Sequence, residues 1–240
     1  MTHLDLSIGI LTWKAWQTLA HSLESWRQAG LFALARENLL FAQEASEQDA
    51  ALAREYQLEL IPSATNLSMG PAFAALAHRA RGRYLLLLEN DWWIQPDVCE
   101  RVEQELRQAL FMLISRRADV VRLRRRDQPG EPLYSRQYAG NELAGAFHLL
   151  DSVHWRAHPD LDFPGKIRRD PDTGFYLASS LHANFTNNPC IWSTRYYREK
   201  ITPFAQVGQD LEITLSDWWE VQPVTVAQGE GLFTHWRLDR

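Results

Sequence analysis

Tyr84-Leu85-Leu86-Leu87-Leu88-Glu89-Asn90-Asp91-Trp92-Trp93 is the stretch that decides how this chain is read. Tyr84 to Leu88 are apolar without alternation. That is the pattern of a strand buried on both faces, and so of a central strand in a parallel sheet. Acid follows at once. Ligands in open α/β sheets lie just beyond the carboxyl ends of the strands, where Glu89 and Asp91 fall. A carboxylate is costly to bury unless it is paired, so these acids are expected to hold a cation or to face a polar cleft. The plainer reading makes Glu89-Asn90-Asp91 only the turn before Pro96, since Asn and Asp are common turn residues. The first reading points to an enzyme with an oxygen-ligand metal site.

Around this strand the chain alternates strand and helix. Residues 6–11, 38–42, 58–62, 84–88 and 118–123 read as strands, and 13–29, 48–57, 69–81 and 96–115 as helices. Trp16, Leu19, Ala20, Leu23 and Trp26 mark one face of the first helix, with Thr12 as its cap and Gly30 past its end. Pro71 stands near the start of the third helix and Gly82 beyond its end. Repeated β-α-β units imply a mostly parallel central sheet flanked by helices, with right-handed crossovers. The pattern changes after Arg122. Arg124 to Pro132 is charged and turn-rich, 133–190 is irregular, 210–220 reads as a helix, and 224–227 and 232–235 as strands. One domain over 1–240 is expected, with 124–240 as its acceptor-side half and the irregular 133–190 as an insertion or acceptor lobe rather than a separate domain.

Composition narrows the function. A net charge of −5 and a pI near 5.9 argue against nucleic-acid binding, which favours basic surfaces. The cluster Arg116, Arg117, Arg122, Arg124, Arg125 and Arg126 suits a solvated loop better than an anionic acceptor or peripheral contact with a membrane surface. Two cysteines make no disulfide framework, and a cytoplasmic, reducing location is expected. Met1-Thr2-His3-Leu4-Asp5 lacks the basic flank and apolar core of a leader peptide. No apolar run approaches the roughly 18 residues of a membrane span. Of ten tryptophans, Trp92-Trp93 and Trp218-Trp219 are adjacent. Neighbours cannot face the same way, so one of each pair is a candidate to line a cleft, while most aromatics fill the core.

Several motifs fall in a recognisable order. Leu11-Thr12-Trp13-Lys14 ends the first strand, and Gln43-Glu44-Ala45-Ser46 the second. Asn66-Leu67-Ser68-Met69-Gly70 opens a helix, and Leu88-Glu89-Asn90-Asp91 closes a strand. Gly208-Gln209-Asp210-Leu211-Glu212 and Leu232-Phe233-Thr234-His235 follow far downstream. This order resembles a GT-A-fold glycosyltransferase of the family 2 type, over residues 5–97, 187–192 and 206–237.

The resemblance implies an α/β GT-A fold and transfer from a nucleotide-diphosphate sugar (UDP-, GDP- or dTDP-linked) to a carbohydrate or glycoconjugate acceptor. It sets Thr12 and Glu44 against base and ribose, and Asn66 and Gly70 beside the nucleotide. Glu89-Asn90-Asp91 takes the D-x-D position, with Asp91 on the metal and Glu89 on ribose or metal. Asp210 takes the place of the general base, and His235 that of the histidine completing the metal shell. The chain departs from the family in Glu89 for the first Asp, in Gln43-Glu44-Ala45-Ser46 for Asp-Asp-Gly-Ser, and in Gln209-Asp210 where two acids are common, with Glu212 a possible substitute.

The chemistry gives the same residues a reason. A hard cation held by carboxylate and imidazole, Mn2+ or Mg2+, neutralises a departing diphosphate. A carboxylate facing the anomeric carbon takes the acceptor's proton. Two other functions compete. A sugar nucleotidyltransferase needs a glycine-rich phosphate loop after its first strand, and Leu11 to Trp16 contains no glycine. A non-catalytic carbohydrate-binding protein of the same fold would have no use for the acidic pair and His235. Asp210 also suits a helix cap. Asn187-Asn188-Pro189 could shape an acceptor pocket or simply turn the chain. His148, His154, His158 and His182 show no metal-ligand spacing and are left as surface or acceptor-side residues.

Overall fold

The computed structural model describes residues 3–238. Met1 and Thr2, part of the stretch read for a leader, lie outside the described residues. The first half runs β1 (Leu4–Trp13), α1 (Trp16–Gln28), a short α2 (Leu31–Leu34), β2 (Ala35–Gln43), α3 (Glu47–Glu55), β3 (Glu59–Ser63), α4 (Met69–Arg79) and β4 (Tyr84–Glu89). After β5 (Trp92–Ile94), a 3-10 turn at Pro96–Arg101 leads into α5 (Val102–Ile114) and β6 (Val120–Arg124). The stretch read as irregular contains 3-10 segments at Tyr134–Tyr138 and Glu142–His154, then α6 (Pro159–Asp162), β7 (Ile167–Arg169) and β8 (Tyr176–Ser179). The chain continues through β9 (Cys190–Ser193), α7 (Thr194–Tyr196), α8 (Leu211–Glu220) and β10 (Thr225–His235).

The strands form one ten-stranded sheet in the order β3-β2-β1-β4-β9-β6-β10-β8-β7, with β5 beside the end of β10. β9 and β8 run against the main direction, as does β5, and the rest are parallel. β4 is central and covered on both faces. Leu86 and Leu88 join the core with Leu19, Leu23 and Trp26 of α1 and Leu106 of α5. Leu85 and Leu87 join Phe73 and Leu76 of α4 and Leu215 of α8 on the other side. The unbroken apolar run therefore has its physical reason: each leucine meets a helix whichever way it points.

Four expectations need correction. Thr12 does not cap α1, because β1 extends through it; the cap position is Ala15, without a side-chain bond. The two C-terminal strands are one, with an irregularity between Gln228 and Phe233, where Glu105 accepts the Gly231 N–H at 2.9 Å. The arginine cluster is a solvated loop only in part: Arg116 is exposed, but three of its members are not. Arg122, Arg124 and Arg125 are only 5%, 5% and 2% exposed. Burial is possible because each guanidinium is partnered: Arg122 by Asp151 and Asn184, Arg124 by three backbone carbonyls, Arg125 by Asp97 and Asp127. Finally, Trp92 lines a cavity, but Trp219 lies in the core with its indole N–H donating to the Ala183 carbonyl at 2.7 Å, and Trp218 leans on Phe204.

His154 closes the long 3-10 segment behind Arg126, its Nδ1 3.3 Å from the Arg126 carbonyl. Burial, with Arg124 and Arg122 nearby and against the pull of Asp151, lowers its pKa to about 4. The folded chain therefore keeps His154 neutral where the unfolded chain protonates it, below about pH 6.5. Its contribution to stability is full above that pH and is lost as pH falls towards 4, by up to about 1.4 kcal/mol per pH unit. Thermal unfolding of His154→Gln should lose less Tm between pH 7 and pH 4.5 than the parent; equal slopes would place the acid sensitivity elsewhere.

Candidate active site

Beyond the carboxyl end of β4 opens a cavity of about 310 Å³. Glu89, Trp92, Asp210, Glu212 and His235 line it, facing Arg124, Leu133, Tyr134, Ser135, His148, Asp151 and Asn184. Wider hollows beside α5 (about 590 Å³) and around Arg36 and Arg81 (about 720 Å³) contain none of these residues. The position of the cavity, not its size, marks it as the site.

Asp91 is reached from two directions. β4 delivers it after Glu89, and β10 returns antiparallel to β5 with His235 opposite Trp92. The Trp236 N–H donates to the Asp91 carbonyl at 2.8 Å, fixing the two segments together. His235 Nε2 then stands 3.2 Å from Asp91 Oδ2. The other ring nitrogen, Nδ1, donates to the Glu131 carbonyl, which can only accept. A neutral His235 therefore presents its Nε2 lone pair to a carboxylate, an arrangement that a shared proton or a cation satisfies. Asp91 Oδ1 is buried with no hydrogen-bond partner.

These two observations fit a divalent cation taking oxygen and imidazole ligands. Among the described residues there is no group of three or more His, Cys, Asp or Glu side chains that could hold a metal alone. Asp91 and His235 would supply two ligands at most, and the rest would have to come from other oxygens and water.

The other acids crowd the same end. Burial and the negative charges of Asp91, Glu212 and Asp210 push the Glu89 carboxyl up to about 8, against the pull of Arg237. Glu212, in the first turn of α8, is also raised by burial, while the Asn187 N–H donates to its Oε1 at 2.6 Å. Asp210 caps α8: the N–H groups of Glu212 and Ile213 donate to its Oδ1 at 2.8 and 3.3 Å. Asp210 is thus a cap that also lines the cavity. Both cap bonds fall on one oxygen, which leaves Oδ2 for a proton. Asn187 and Asn188 line the wall between them.

The remaining sequence-chosen residues form a row along the neighbouring strand ends. Thr12 pairs with Ala42 in register and is buried, its hydroxyl unpartnered. Glu44 follows β2, with positive φ (49°) and a salt bridge to Lys14. Asn66 accepts the Ser68 N–H at 2.8 Å and so shapes the turn into α4. Gly70 is buried against Ala205, where an added Cβ would come within 3.3 Å of that residue's Cα; its role here is close packing. Asn90 gives its carbonyl to Ser22, and its amide nitrogen is buried without a partner. None of these five lines the cavity; Met69 does.

Of the opposite wall, the sequence singles out only His148, as a surface or acceptor-side residue. Tyr134, Ser135, His148, Asp151 and Asn184 come from the stretch without periodicity. Arg122 holds Asp151 at 2.6 Å and the Asn184 side chain at 3.0 Å. His148 stacks on Tyr138 with ring centroids 5.7 Å apart. A buried Asp beside two histidines was the only sequence cue.

The pattern of glycosyl transferase family 2 matches residues 7–154. No curated protein sequence matches this one. Among solved structures, the fold resembles mannosyltransferase PcManGT from Pyrobaculum calidifontis in complex with GDP-Man and Mn2+, with a TM-score of 0.62 at 10% identity over 100% of this chain and 59% of that one. S. aureus TarS 1-349 gives 0.60 at 11% over 96% and 60%. Glucosyl-3-phosphoglycerate synthase from Mycobacterium tuberculosis, solved with Mn2+ and UDP, gives 0.53 at 11% over 97% and 72%. This chain spans 36% of the S. aureus TarS chain of the longer structure. The sheet order, the helices on both faces and these likenesses make the fold GT-A, as the motif order implied. The chain belongs to glycosyl transferase family 2.

Proposed function

We propose that the chain moves a sugar from a nucleotide-diphosphate sugar to a carbohydrate or glycoconjugate hydroxyl, with inversion and with the help of Mn2+ or Mg2+. The observation that carries this reading is the Asp91 carboxylate beyond the end of β4, with Oδ2 3.2 Å from His235 Nε2 and Oδ1 buried and unpartnered. The similar structures solved with UDP-GlcNAc, with GDP-Man and Mn2+, and with UDP and Mn2+ agree with it. A divalent cation on Asp91 and His235 would supply Lewis acidity to the diphosphate oxygens.

The protein's own residues do the rest. Thr12 and Glu44 lie where base and ribose would run, with Asn66, Gly70 and Asn90 shaping that edge, and Glu89 reaches the ribose end. Arg237, exposed and close enough to lower the Glu89 pKa, adds positive charge for the phosphates. Asp210 accepts the proton as the acceptor oxygen bonds to the anomeric carbon. The bond from that carbon to the phosphate oxygen breaks, and the nucleoside diphosphate leaves with its electron pair. The free thiols of Cys99 and Cys190 suit a reducing compartment, and a cytoplasmic location completes the reading.

Calorimetry with UDP-, GDP- and dTDP-sugars plus Mn2+ tests the whole: at least one donor should bind and be slowly hydrolysed, and silence from all would end the proposal. Asp91→Ala should abolish metal-dependent transfer with Tm close to the parent, since the residue packs in neither core; a lost melting transition would make Asp91 structural. Asp210→Asn keeps the cap but cannot take a proton, so turnover should fall by about 10²-fold or more at near-normal donor affinity. Retained turnover would move the base, with Glu212→Gln the next variant. His235→Ala should weaken Mn2+ binding in the presence of a nucleoside diphosphate, with partial rescue by extra metal. An unchanged titration would leave His235 as packing for β10.

A further inference from the structure

We infer that the wall formed by the 3-10 segments Tyr134–Tyr138 and Glu142–His154 is the acceptor subsite, and that it selects an uncharged, polyhydroxylated acceptor, a neutral sugar, over one carrying phosphate or carboxylate. This rests on the glycosyl-transfer reading above and deepens it.

Unpartnered polar atoms mark this wall and the sides of the cavity that meet it. Ser135 is 4% exposed, yet its hydroxyl has no hydrogen-bond partner. The same holds for the indole nitrogen of Trp92, which is 1% exposed, and for Asn187 Oδ1. His148 Nδ1 stands 3.6 Å from Asp151 Oδ2, beyond a normal hydrogen bond. All four residues line the cavity. An indole N–H only donates, an amide oxygen only accepts, and hydroxyl and imidazole do either. Mixed donors and acceptors match sugar hydroxyls, which also do both. A phosphate only accepts and would leave the acceptors unmet.

Charge gives the same answer independently. Asp151, Asp210 and Glu212 all face this space, and the only arginine or lysine among the described lining residues is Arg124. Its Nε donates to the Pro129 carbonyl and its Nη2 to those of Gly130 and Pro132. Arg122 lies behind Asp151 and does not line the cavity. An anionic acceptor would meet carboxylates at short range, with no free cation among the described residues that line the cavity to offset them. At the mouth, Tyr134 is 79% exposed and offers an aromatic face to a sugar ring.

The test uses the full chain with Mn2+ and UDP or GDP, and matched probes: methyl hexosides and neutral disaccharides, methyl hexoside 6-phosphates, and methyl hexuronides. Ligand-observed NMR should detect the neutral probes and not the charged ones. Ser135→Ala and His148→Ala should weaken neutral-probe binding about tenfold each, with the affinity for Mn2+ and nucleoside diphosphate within twofold of the parent. Asp151→Asn should do the same, and its Tm reports any damage to the Arg122 pair. A preference for the phosphorylated or uronic probes, no neutral probe bound by a protein that binds the diphosphate, or binding indifferent to Ser135 and His148 would each overturn the subsite. Failure to bind any nucleoside diphosphate would instead overturn the transferase reading.

Discussion

The site depends on a carboxylate placed where it cannot be comfortable. β4 is clamped between two apolar layers, so the chain must leave the core at Glu89, and water is largely gone before the acids begin. Glu89, Asp91, Asp210 and Glu212 then repel one another in a poorly screened space, as the raised Glu89 pKa records. Such an arrangement is unfavourable for the protein alone and favourable once positive charge enters. The cores on the two faces of the sheet hold the acids together against that repulsion.

Orientation is set further out. Arg124 gathers the carbonyls of Pro129, Gly130 and Pro132, and the same loop turns the Glu131 carbonyl onto His235. That bond fixes which imidazole nitrogen faces Asp91. Burial lowers the Arg124 pKa to about 10, so it stays charged at neutral pH. The guanidinium lies over the Trp92 ring at 5.3 Å, and the ring in turn packs edge-on to His235 at 5.0 Å. A planar fork can bind several carbonyls and cover an aromatic face at once; an ammonium cannot.

The first half of the chain was legible because its signals are local. An apolar run of five residues, a glycine after a helix and an acid after a strand need only their neighbours to be read. The identity of Asp91, Asp210 and His235 as residues that meet came from motif order, and the cavity does draw Asp210 and His235 to one end, beside Asp91. The facing wall was not legible. Short 3-10 segments carry no helical stripe, so Ser135, His148 and Asp151 left no periodic trace. The arginine cluster misled for a related reason. Whether a guanidinium is solvated depends on carbonyls and carboxylates that fold beside it, and these come from residues 97, 127–132, 151 and 184, invisible to a count of charges.

β9 gives the architecture a consequence of its own. Four residues, Cys190–Ser193, lie between β4 and β6 and hydrogen-bond to both. The chain therefore lays down the two flanking strands long before the one that joins them. Until Ile191 and Trp192 arrive, β4 carries a raw edge, apolar on both faces, and β6 one that also bears Arg122 and Arg124; open edges invite pairing with another chain. The division near residue 123, so clear in the sequence, is no seam at which the molecule could be cut. The long closure from β4 to β9 sets a high contact order for the sheet, and the acidic end of β4 takes its final shape only when this late strand is in place.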